Sequence, residues 1–175
     1  MRSHRPIAAA RVAAIARRLL DASELCAIAT VAPRGRAHVN TAYFAWSPRF
    51  EIVWLSEPRA GHSRNIRSKG AVAIAVYDSR QSWGGKDRGV QLFGSAVEAA
   101  AADAVRAEKL YAKRFPAFTD ADLTAYRYYL FTPRRLKLFD EHALAGGTFV
   151  TARVDRDARL AWERTEIYRS TSRSG

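Results

Sequence analysis

The sequence predicts a mainly β protein with flanking helices, in which seven or eight antiparallel strands curl into a barrel. Short segments that are continuously apolar, or that alternate between apolar and polar residues, recur along the chain, and turns rich in glycine, proline and polar residues separate them. Three other segments have helical spacing of their apolar residues. An antiparallel sheet of this size tends to curl and close, because closure removes its exposed edges.

The first strand is predicted at 25–32, where the continuous apolar run LCAIATVA indicates a buried strand. A PRGR turn leads to an alternating strand at 37–46, which places Thr41 and Tyr43 on one face and Asn40 and Ala42 on the other. The sequence from 126 to 140 predicts either two short strands or one strand bent around Pro133. The remaining strands are predicted at 50–56, 71–78, 88–99, 148–155 and 160–168.

Residues 1–22 predict an amphipathic helix that packs on the domain, because its large apolar residues share one helical face. That face consists of Ile7, Val12, Ile15, Leu19 and Leu20. Arginines interrupt the apolar block that a signal peptide would need, and a transit peptide is the alternative. Two further helices are predicted, one at 60–69 that ends at Gly70 and one at 100–116 that ends at Pro116. Residues 23–169 form the barrel domain, and 170–175 are expected to be a flexible tail.

Composition narrows the possible functions. A chain of 175 residues suits one domain, and the lone cysteine, Cys26, excludes an internal disulfide and favours a cytoplasmic location. No apolar stretch is long enough to span a bilayer. The net charge of +12 would attract anionic ligands, but the basic residues are scattered and no nucleic-acid-binding motif is present, so nucleic acid is not the expected partner. The four histidines have no metal-site spacing.

Four segments, taken in order, resemble the pyridoxamine 5′-phosphate oxidase-like family of FMN-binding split β-barrels. They are LCAIATVAPRGRAHVNTAYFAW, FEIVWLSEPRAGHSRNIRSKGAVAIAVYD, RGVQLFGSAVEA and YAKRFP, and the similarity spans roughly 25–153. The chain is most similar to small members of the family that are not true pyridoxamine-phosphate oxidases. The resemblance implies a split barrel, a homodimer, and FMN in a groove between the two subunits.

The resemblance also implies which residues bind the cofactor. The second and third strands and the helix that follows would hold the phosphate and the ribityl chain, while Gln91 and Phe139 would lie beside the flavin ring. The implied strand residues are Asn40, Thr41, Ala42, Tyr43, Leu55 and Ser56. The implied residues around the helix start are Arg59, His62, Ser63 and Arg64. A helix N-terminus with basic and hydroxyl side chains suits a phosphate on physical grounds.

Some of these residues, and the neighbouring Arg67, also have an interpretation in which they only stabilise the fold or face solvent. His62 is either a phosphate ligand or a partly exposed helix residue, and Arg64 and Arg67 either pair with phosphate or face solvent. Gln91 needs a partner inside a strand, either a flavin or a backbone group. Phe139 either shields the ring or packs in the core.

The sequence lacks residues that true pyridoxamine-phosphate oxidases have. Asn40 and Ala45 occupy positions where those enzymes have an arginine and a lysine, and Gly61 occupies the place of a common phosphate-binding arginine. Oxidation of pyridoxamine phosphate is therefore not predicted.

The expected function is flavin-dependent oxidation or reduction of a small molecule by FMN, with no catalytic side chain identified and Tyr43 and His38 as candidate proton donors. Two alternatives remain open. The first is a deazaflavin-dependent reductase, whose cofactor tail is anionic and suits a basic groove. The second is a haem- or flavin-binding protein without turnover, with His38 or His142 as a haem ligand.

Overall fold

The computed structural model describes residues 2–3, 6–117 and 123–168, with only the backbone described at 2–3. The strands are β1 (Arg2–Ser3), β2 (Leu25–Val31), β3 (Ala37–Trp46), β4 (Ile52–Ser56), β5 (Ala71–Tyr77), β6 (Arg88–Glu98), β7 (Arg127–Asp140), β8 (Thr148–Val154) and β9 (Leu160–Ile167). The α-helices are α1 (Ala9–Asp21), α2 (Gly61–Ser68) and α3 (Ala101–Arg114). The predicted tail at 170–175 lies outside the described residues.

All the strands pair antiparallel, in the order β1-β9-β8-β7-β4-β3-β2-β5-β6, and β6 also pairs with β7. Six strands, β2 to β7, therefore surround one core. The first part of β7 pairs with β4 and its second part pairs with β8, so the barrel splits along this strand. The predicted mainly β fold with a split antiparallel barrel is confirmed.

The described part of the chain contains nine strands, more than the seven or eight predicted. The additional one is β1, a two-residue strand that pairs with β9 and is too short to produce a sequence pattern. Residues 127–140 form one strand, as in the second of the two predicted alternatives. Its pairing shifts opposite Gly94, which faces Pro133 while the preceding Phe93 faces Arg135. Arg134 is thus the extra residue of a β-bulge.

The barrel interior is filled by large apolar side chains that alternate along the strands. The largest fully buried ones include Ile28, Phe44, Trp54, Ile74, Leu92, Tyr129, Phe131, Leu136 and Leu138. Helix α1 buries Val12, Ile15, Leu19 and Leu20 against this core. An ion pair between Arg18 and the buried Asp140 joins α1 to the end of β7. Ile7 precedes the helix instead of belonging to it.

Helix α3 covers the outside of the barrel. Its Ala107 and Tyr111 pack against Ala45, Val53 and Leu130, which form a second buried cluster. Among the described residues, no helix is long and apolar enough to cross a bilayer.

The sequence predicted that Gly70 ends α2 in a left-handed conformation, and this prediction is wrong. The helix ends at Ser68, and its C-cap residue Lys69 is extended. The φ angle of Gly70 is not positive. Instead, the backbone of Gly70 lies against that of β6. Its carbonyl accepts a hydrogen bond of 2.8 Å from the amide of Ala96, and a Cβ at this position would lie 3.1 Å from the Ala96 carbonyl oxygen.

Candidate functional site

A cleft of about 450 Å³ opens where β3 and β4 separate. Their ladder ends at the pair of Phe44 and Trp54, and beyond it Leu55 and Ser56 pair with β7. The chain then turns from Glu57 into α2, whose N-terminus lies at the cleft. The lining residues are Asn40, Thr41, Ala42, Tyr43, Leu55, Ser56, Glu57, Ala60, His62, Tyr111, Leu123 and Tyr126.

Seven of the twelve residues predicted from the sequence line this one cleft: Asn40, Thr41, Ala42, Tyr43, Leu55, Ser56 and His62. The four on β3 are consecutive, so both faces of the strand contribute where it extends past β4. The structure thus brings the predicted strand residues together with one residue of the predicted helix start.

The N-terminus of α2 has no side-chain cap, because its N-cap residue is Ala60. The first amides of an α-helix have no partner within the helix, and together with the helix dipole they favour an anion. Helix α2 therefore presents amide donors, without a competing side-chain acceptor, next to the cleft.

His62 is the second residue of α2 and is only 5% exposed. Its Nε2 atom is buried and has no hydrogen-bond partner among the residues that the structure describes. Burial lowers the pKa of His62 below its usual value of 6.5, and the nearby His38 lowers it further. The centroids of the two imidazole rings are 6.3 Å apart. At neutral pH, the lining residue His62 is therefore an uncharged imidazole, and its unpaired Nε2 atom is shielded from solvent.

Ser63 lies on the inner side of α2 and not at the cleft. It is fully buried, and its hydroxyl lies 3.4 Å from that of Ser56. Successive residues of an α-helix are rotated by about 100°. The step from His62 to Ser63 therefore turns the side chain from the cleft toward the barrel interior.

The arginines near α2 also lie outside the cleft. Arg59 is exposed, and Arg64 donates a hydrogen bond to the backbone carbonyl of Arg59. Arg67 donates to the Pro58 carbonyl at 2.6 Å and pairs with Glu98 at 3.3 Å. Arg64 borders a second cleft, which is lined by Ala32, Pro33, Arg36, His38, Gly61, Arg64, Asn65 and Ser68.

Gln91 and Phe139 lie on another part of the barrel. The register runs from Thr41 through Ala27 and Ala75 to Gln91, so three strand spacings, or roughly 14 Å, separate Gln91 from the cleft. Phe139 is two positions along β7 from the residue opposite Gln91, and its ring lies 5.2 Å from that of Phe149. Within one chain, neither residue reaches the cleft.

Sequence reasoning missed five lining residues: Glu57, Ala60, Tyr111, Leu123 and Tyr126. Tyr111 is on α3 and Tyr126 precedes β7, so both are far from β3 along the chain. The segment that contains Tyr111, YAKRFP, is one of the motifs that carry the family resemblance, and it was not predicted to lie at the cleft. Glu57 and Ala60 lie in the turn between Ser56 and His62, so their positions in the sequence indicate that they are close to the cleft.

The outer face of β2, β3, β5 and β6 is apolar and exposed. One row across it consists of Val39, Ala29, Ala73 and Phe93, in register on four neighbouring strands. Leu25, Tyr43 and Tyr77 extend the same surface, hereafter the outer sheet face. Val39 is 64% exposed and Phe93 is 38% exposed. Contiguous exposed apolar surface is typical of interaction sites.

Comparison with known proteins identifies the family. The family model described as pyridoxamine 5′-phosphate oxidase matches residues 13–140. No curated protein matches the sequence.

Solved structures share the fold. An FMN-binding protein related to pyridoxamine 5′-phosphate oxidase from Nostoc punctiforme is 12% identical, with a TM-score of 0.58 over 89% of this chain and 94% of that one. A heme-binding protein from Mycobacterium smegmatis is 14% identical, with a TM-score of 0.62 over 95% and 90%. HutZ, the heme storage protein from Vibrio cholerae, is 17% identical, with a TM-score of 0.58 over 67% and 86%. The family match over most of the chain, together with this fold, shows that the chain belongs to the pyridoxamine 5′-phosphate oxidase family.

Proposed function

We propose that the protein is a homodimeric flavoprotein that binds FMN in the β3–β4–α2 cleft and uses it to oxidise or reduce a small molecule. The observation that carries this proposal is the uncapped N-terminus of α2 beside the cleft. The neighbouring lining residue is His62, whose buried Nε2 has no partner among the described residues. The free amides at a helix N-terminus are donors that suit a phosphate group. The family match and the FMN-binding protein from Nostoc punctiforme support the choice of cofactor.

In this proposal, the residues of the cleft divide into two groups. The first amides of α2, with His62 and the hydroxyl of Ser56, hold the phosphate. Asn40, Thr41 and Tyr43 of β3 provide hydrogen-bonding groups for the rest of the cofactor. Bound FMN would supply the hydride or electron transfer, and the protein would supply binding and orientation.

A second copy of the chain completes the site in this proposal. Gln91 and Phe139 are too far from the cleft to act within one chain, yet Gln91 lies on the same side of the sheet as the apolar residues Val39 and Phe93. Pairing two outer sheet faces would bury these apolar side chains, which is favourable. It would also bring residues of one copy toward the cleft of the other.

The test uses the helix cap, because an Ala60→Asp substitution separates folding from binding. An aspartate at the N-cap accepts hydrogen bonds from the free amides and stabilises the helix by about 1 kcal/mol. The same carboxylate occupies those amides and repels a phosphate. We expect wild-type protein to bind FMN with flavin absorption bands and quenched fluorescence, and Ala60→Asp to bind at least about tenfold more weakly.

Ala100→Asp is the matched control, because Ala100 is the N-cap of α3, also has no side-chain cap, and does not line the cleft. It should keep the wild-type affinity for FMN. Wild-type protein that binds no FMN, or equal affinity in both variants, would contradict the proposed site.

Haem binding is the second candidate function. Haem iron needs an axial ligand, and an imidazole nitrogen without another partner, such as Nε2 of His62, is a common one. The heme-binding protein from Mycobacterium smegmatis shares the fold. His142 is exposed, follows β7 and does not line the cleft, so His62 replaces it as the candidate ligand, with His38 beside it. A Soret band on hemin addition that disappears in His62→Ala would favour haem, and a band that persists would exclude this ligand.

A deazaflavin is the third candidate cofactor. Arg36 and Arg64 line the second cleft together with Gly61, the residue before His62, and would attract the anionic tail of a deazaflavin there. Competition between FMN and a deazaflavin in one titration would distinguish the two cofactors.

A further inference from the structure

The cleft has an unusual charge composition for a phosphate site. Among the described residues that line it, none is lysine or arginine, although the whole chain has 29 of them. Of the described lining side chains, His62 is the one that can become a cation. Glu57 at the rim is an acid and opposes an anion. A dianionic phosphate in this cleft would therefore meet amide dipoles and a neutral imidazole.

The arginines around α2 are either hydrogen-bonded to backbone carbonyls or exposed. Arg64 and Arg67 bind the backbone carbonyls of Arg59 and Pro58, and Arg67 also pairs with Glu98. The titratable and charged groups on the surrounding elements are His38 and Tyr43 on β3, Glu57 after β4, Glu98 on β6, Tyr111 on α3, Tyr126, Arg127, Tyr128 and Tyr129 at β7, and Arg59, Arg64 and Arg67 around α2. Arg127 pairs in register with Ser56, and its guanidinium donates hydrogen bonds to the backbone carbonyls of Thr124 and Tyr126. Glu98 also accepts from Tyr129, at 3.3 Å, which leaves it committed to two partners.

We propose that FMN binding is coupled to proton uptake: the phosphate enters the cleft together with one solvent proton, which binds Nε2 of His62. This inference rests on the proposed function and specifies how that site is regulated. The proton has a place on His62, because this residue lines the cleft and its buried Nε2 has no partner among the described residues. No covalent bond is made or broken, and above about pH 6 the phosphate is a dianion both free and bound, so the proton comes from the solvent.

Proton uptake makes affinity depend on pH. A phosphate beside His62 favours the imidazolium, so the pKa of His62 is higher in the complex than in the free protein. Between those two pKa values, each rise of one pH unit should weaken FMN binding by up to about tenfold. The protein would release its cofactor as the surroundings become alkaline, whereas an arginine at this position would hold it at every physiological pH.

The experiment measures proton uptake directly. FMN is titrated calorimetrically into the full-length protein at one pH in two buffers of different ionisation enthalpy. We expect up to one proton to be taken up per FMN. Uptake should fall to zero in His62→Gln, and also when riboflavin, which lacks the phosphate, replaces FMN. FMN binding without proton uptake would overturn the inference while the proposed function stands, because it would mean that another cation neutralises the phosphate.

Glu57→Gln is the matched variant, since it also changes a lining residue. It should raise FMN affinity because a like charge is removed, but leave the number of protons unchanged. Equal loss of proton uptake in Glu57→Gln and His62→Gln would overturn the assignment to His62.

Inorganic phosphate gives a second readout that does not depend on the flavin. The ring proton signals of His62, assigned with the His62→Gln variant, are followed against pH with and without phosphate. A raised pKa of His62 in phosphate supports the anion-coupled protonation of this residue even if FMN does not bind, in which case the proposed function fails and the coupling to FMN fails with it. An unchanged pKa, together with no FMN binding, would overturn both.

Discussion

At the residue scale, burial of His62 connects folding stability to pH even without a ligand. The pKa of His62 is below 6.5 in the folded protein and rises to that value when the chain unfolds. Between the two values, the unfolded chain binds a proton that the folded chain does not. The His62 contribution is therefore constant above about pH 6.5 and is lost progressively as the pH falls toward the folded pKa.

Urea unfolding at a series of pH values between 5 and 7.5 tests this effect. Over the acidic part of the range, the free energy of unfolding of wild-type protein should fall more steeply with acidification than that of His62→Gln. The difference in slope cannot exceed about 1.4 kcal/mol per pH unit for one proton. Parallel curves for the two proteins would show that His62 titrates normally in the folded state.

Cys26 provides a second prediction at this scale. The thiol is buried in the barrel core, and burial raises its pKa to about 12, an effect that Arg114 opposes only in part. The reactive species is the thiolate, which is nearly absent at pH 8. We expect a disulfide reagent such as DTNB to leave the folded protein unmodified at pH 8 and to titrate one thiol in urea. Rapid reaction of the folded protein would contradict this.

The sequence located the β3 part of the site because consecutive strand residues stay together whatever the rest of the fold does. The helix part was less predictable, since the side that α2 turns toward the barrel depends on packing. Ser63 was therefore predicted at the cleft but is buried on the inner side of α2, next to Ser56. Ala60 lines the cleft but was not predicted there. Tyr111 comes from a distant element, whose position only the tertiary structure reveals.

At the scale of elements, the contact between β6 and β7 depends on Gly94. A Cβ at this position would lie 2.1 Å from the Thr132 carbonyl oxygen and 2.9 Å from the Pro133 Cα. Both atoms belong to the backbone, so no side-chain rotation can relieve the clash. Gly94→Ala should therefore destabilise the protein by about 3 kcal/mol or more, measured by urea unfolding.

Gly146→Ala is the control for this prediction. A Cβ there would lie 3.5 Å from a carboxylate oxygen of Glu141, an ordinary contact with a flexible side chain, and φ is not positive. Its effect should stay within about 0.5 kcal/mol. Equal destabilisation by the two substitutions would show that the clash at Gly94 is relieved elsewhere in β7.

The bulge also shows what a strand pattern can and cannot predict. Proline at 133 indicated an interruption near the middle of 126–140, and the alternatives were two strands or one bent strand. The choice depends on the partner strand, because Gly94 on β6 lets the bulged backbone approach closely. That approach is a property of two segments some 40 residues apart, and neither segment specifies it alone.

At the scale of the whole molecule, the positive charge of each chain opposes the proposed dimerisation. Each chain has a net charge of +12, so two copies repel each other over long distances. The row from Val39 to Phe93 across the outer sheet face is uncharged, and the apolar surface it would bury is the attraction that opposes this repulsion. A dimer formed this way should become tighter as salt is added, because salt screens the repulsion and strengthens apolar contacts.

Sedimentation velocity tests the dimer. Each chain has a mass of 19.5 kDa, and we expect the wild-type protein to sediment as a species of twice that mass. A Val39→Glu, Phe93→Glu double variant should sediment as a monomer, because it would bury two carboxylates without partners in each copy. Val105→Glu is the control, since Val105 is 52% exposed on α3 and lies outside the outer sheet face.

The same variants connect assembly to cofactor binding. If Gln91 and Phe139 act on the cleft of a second copy, the monomeric double variant should lose FMN affinity although its own cleft is unchanged, and Val105→Glu should keep it. A monomer that binds FMN normally would confine the site to one chain and remove any role for Gln91 and Phe139. A dimer that survives the double substitution would instead place the interface on another surface, and the exposure of Val39 and Phe93 would then need a different partner.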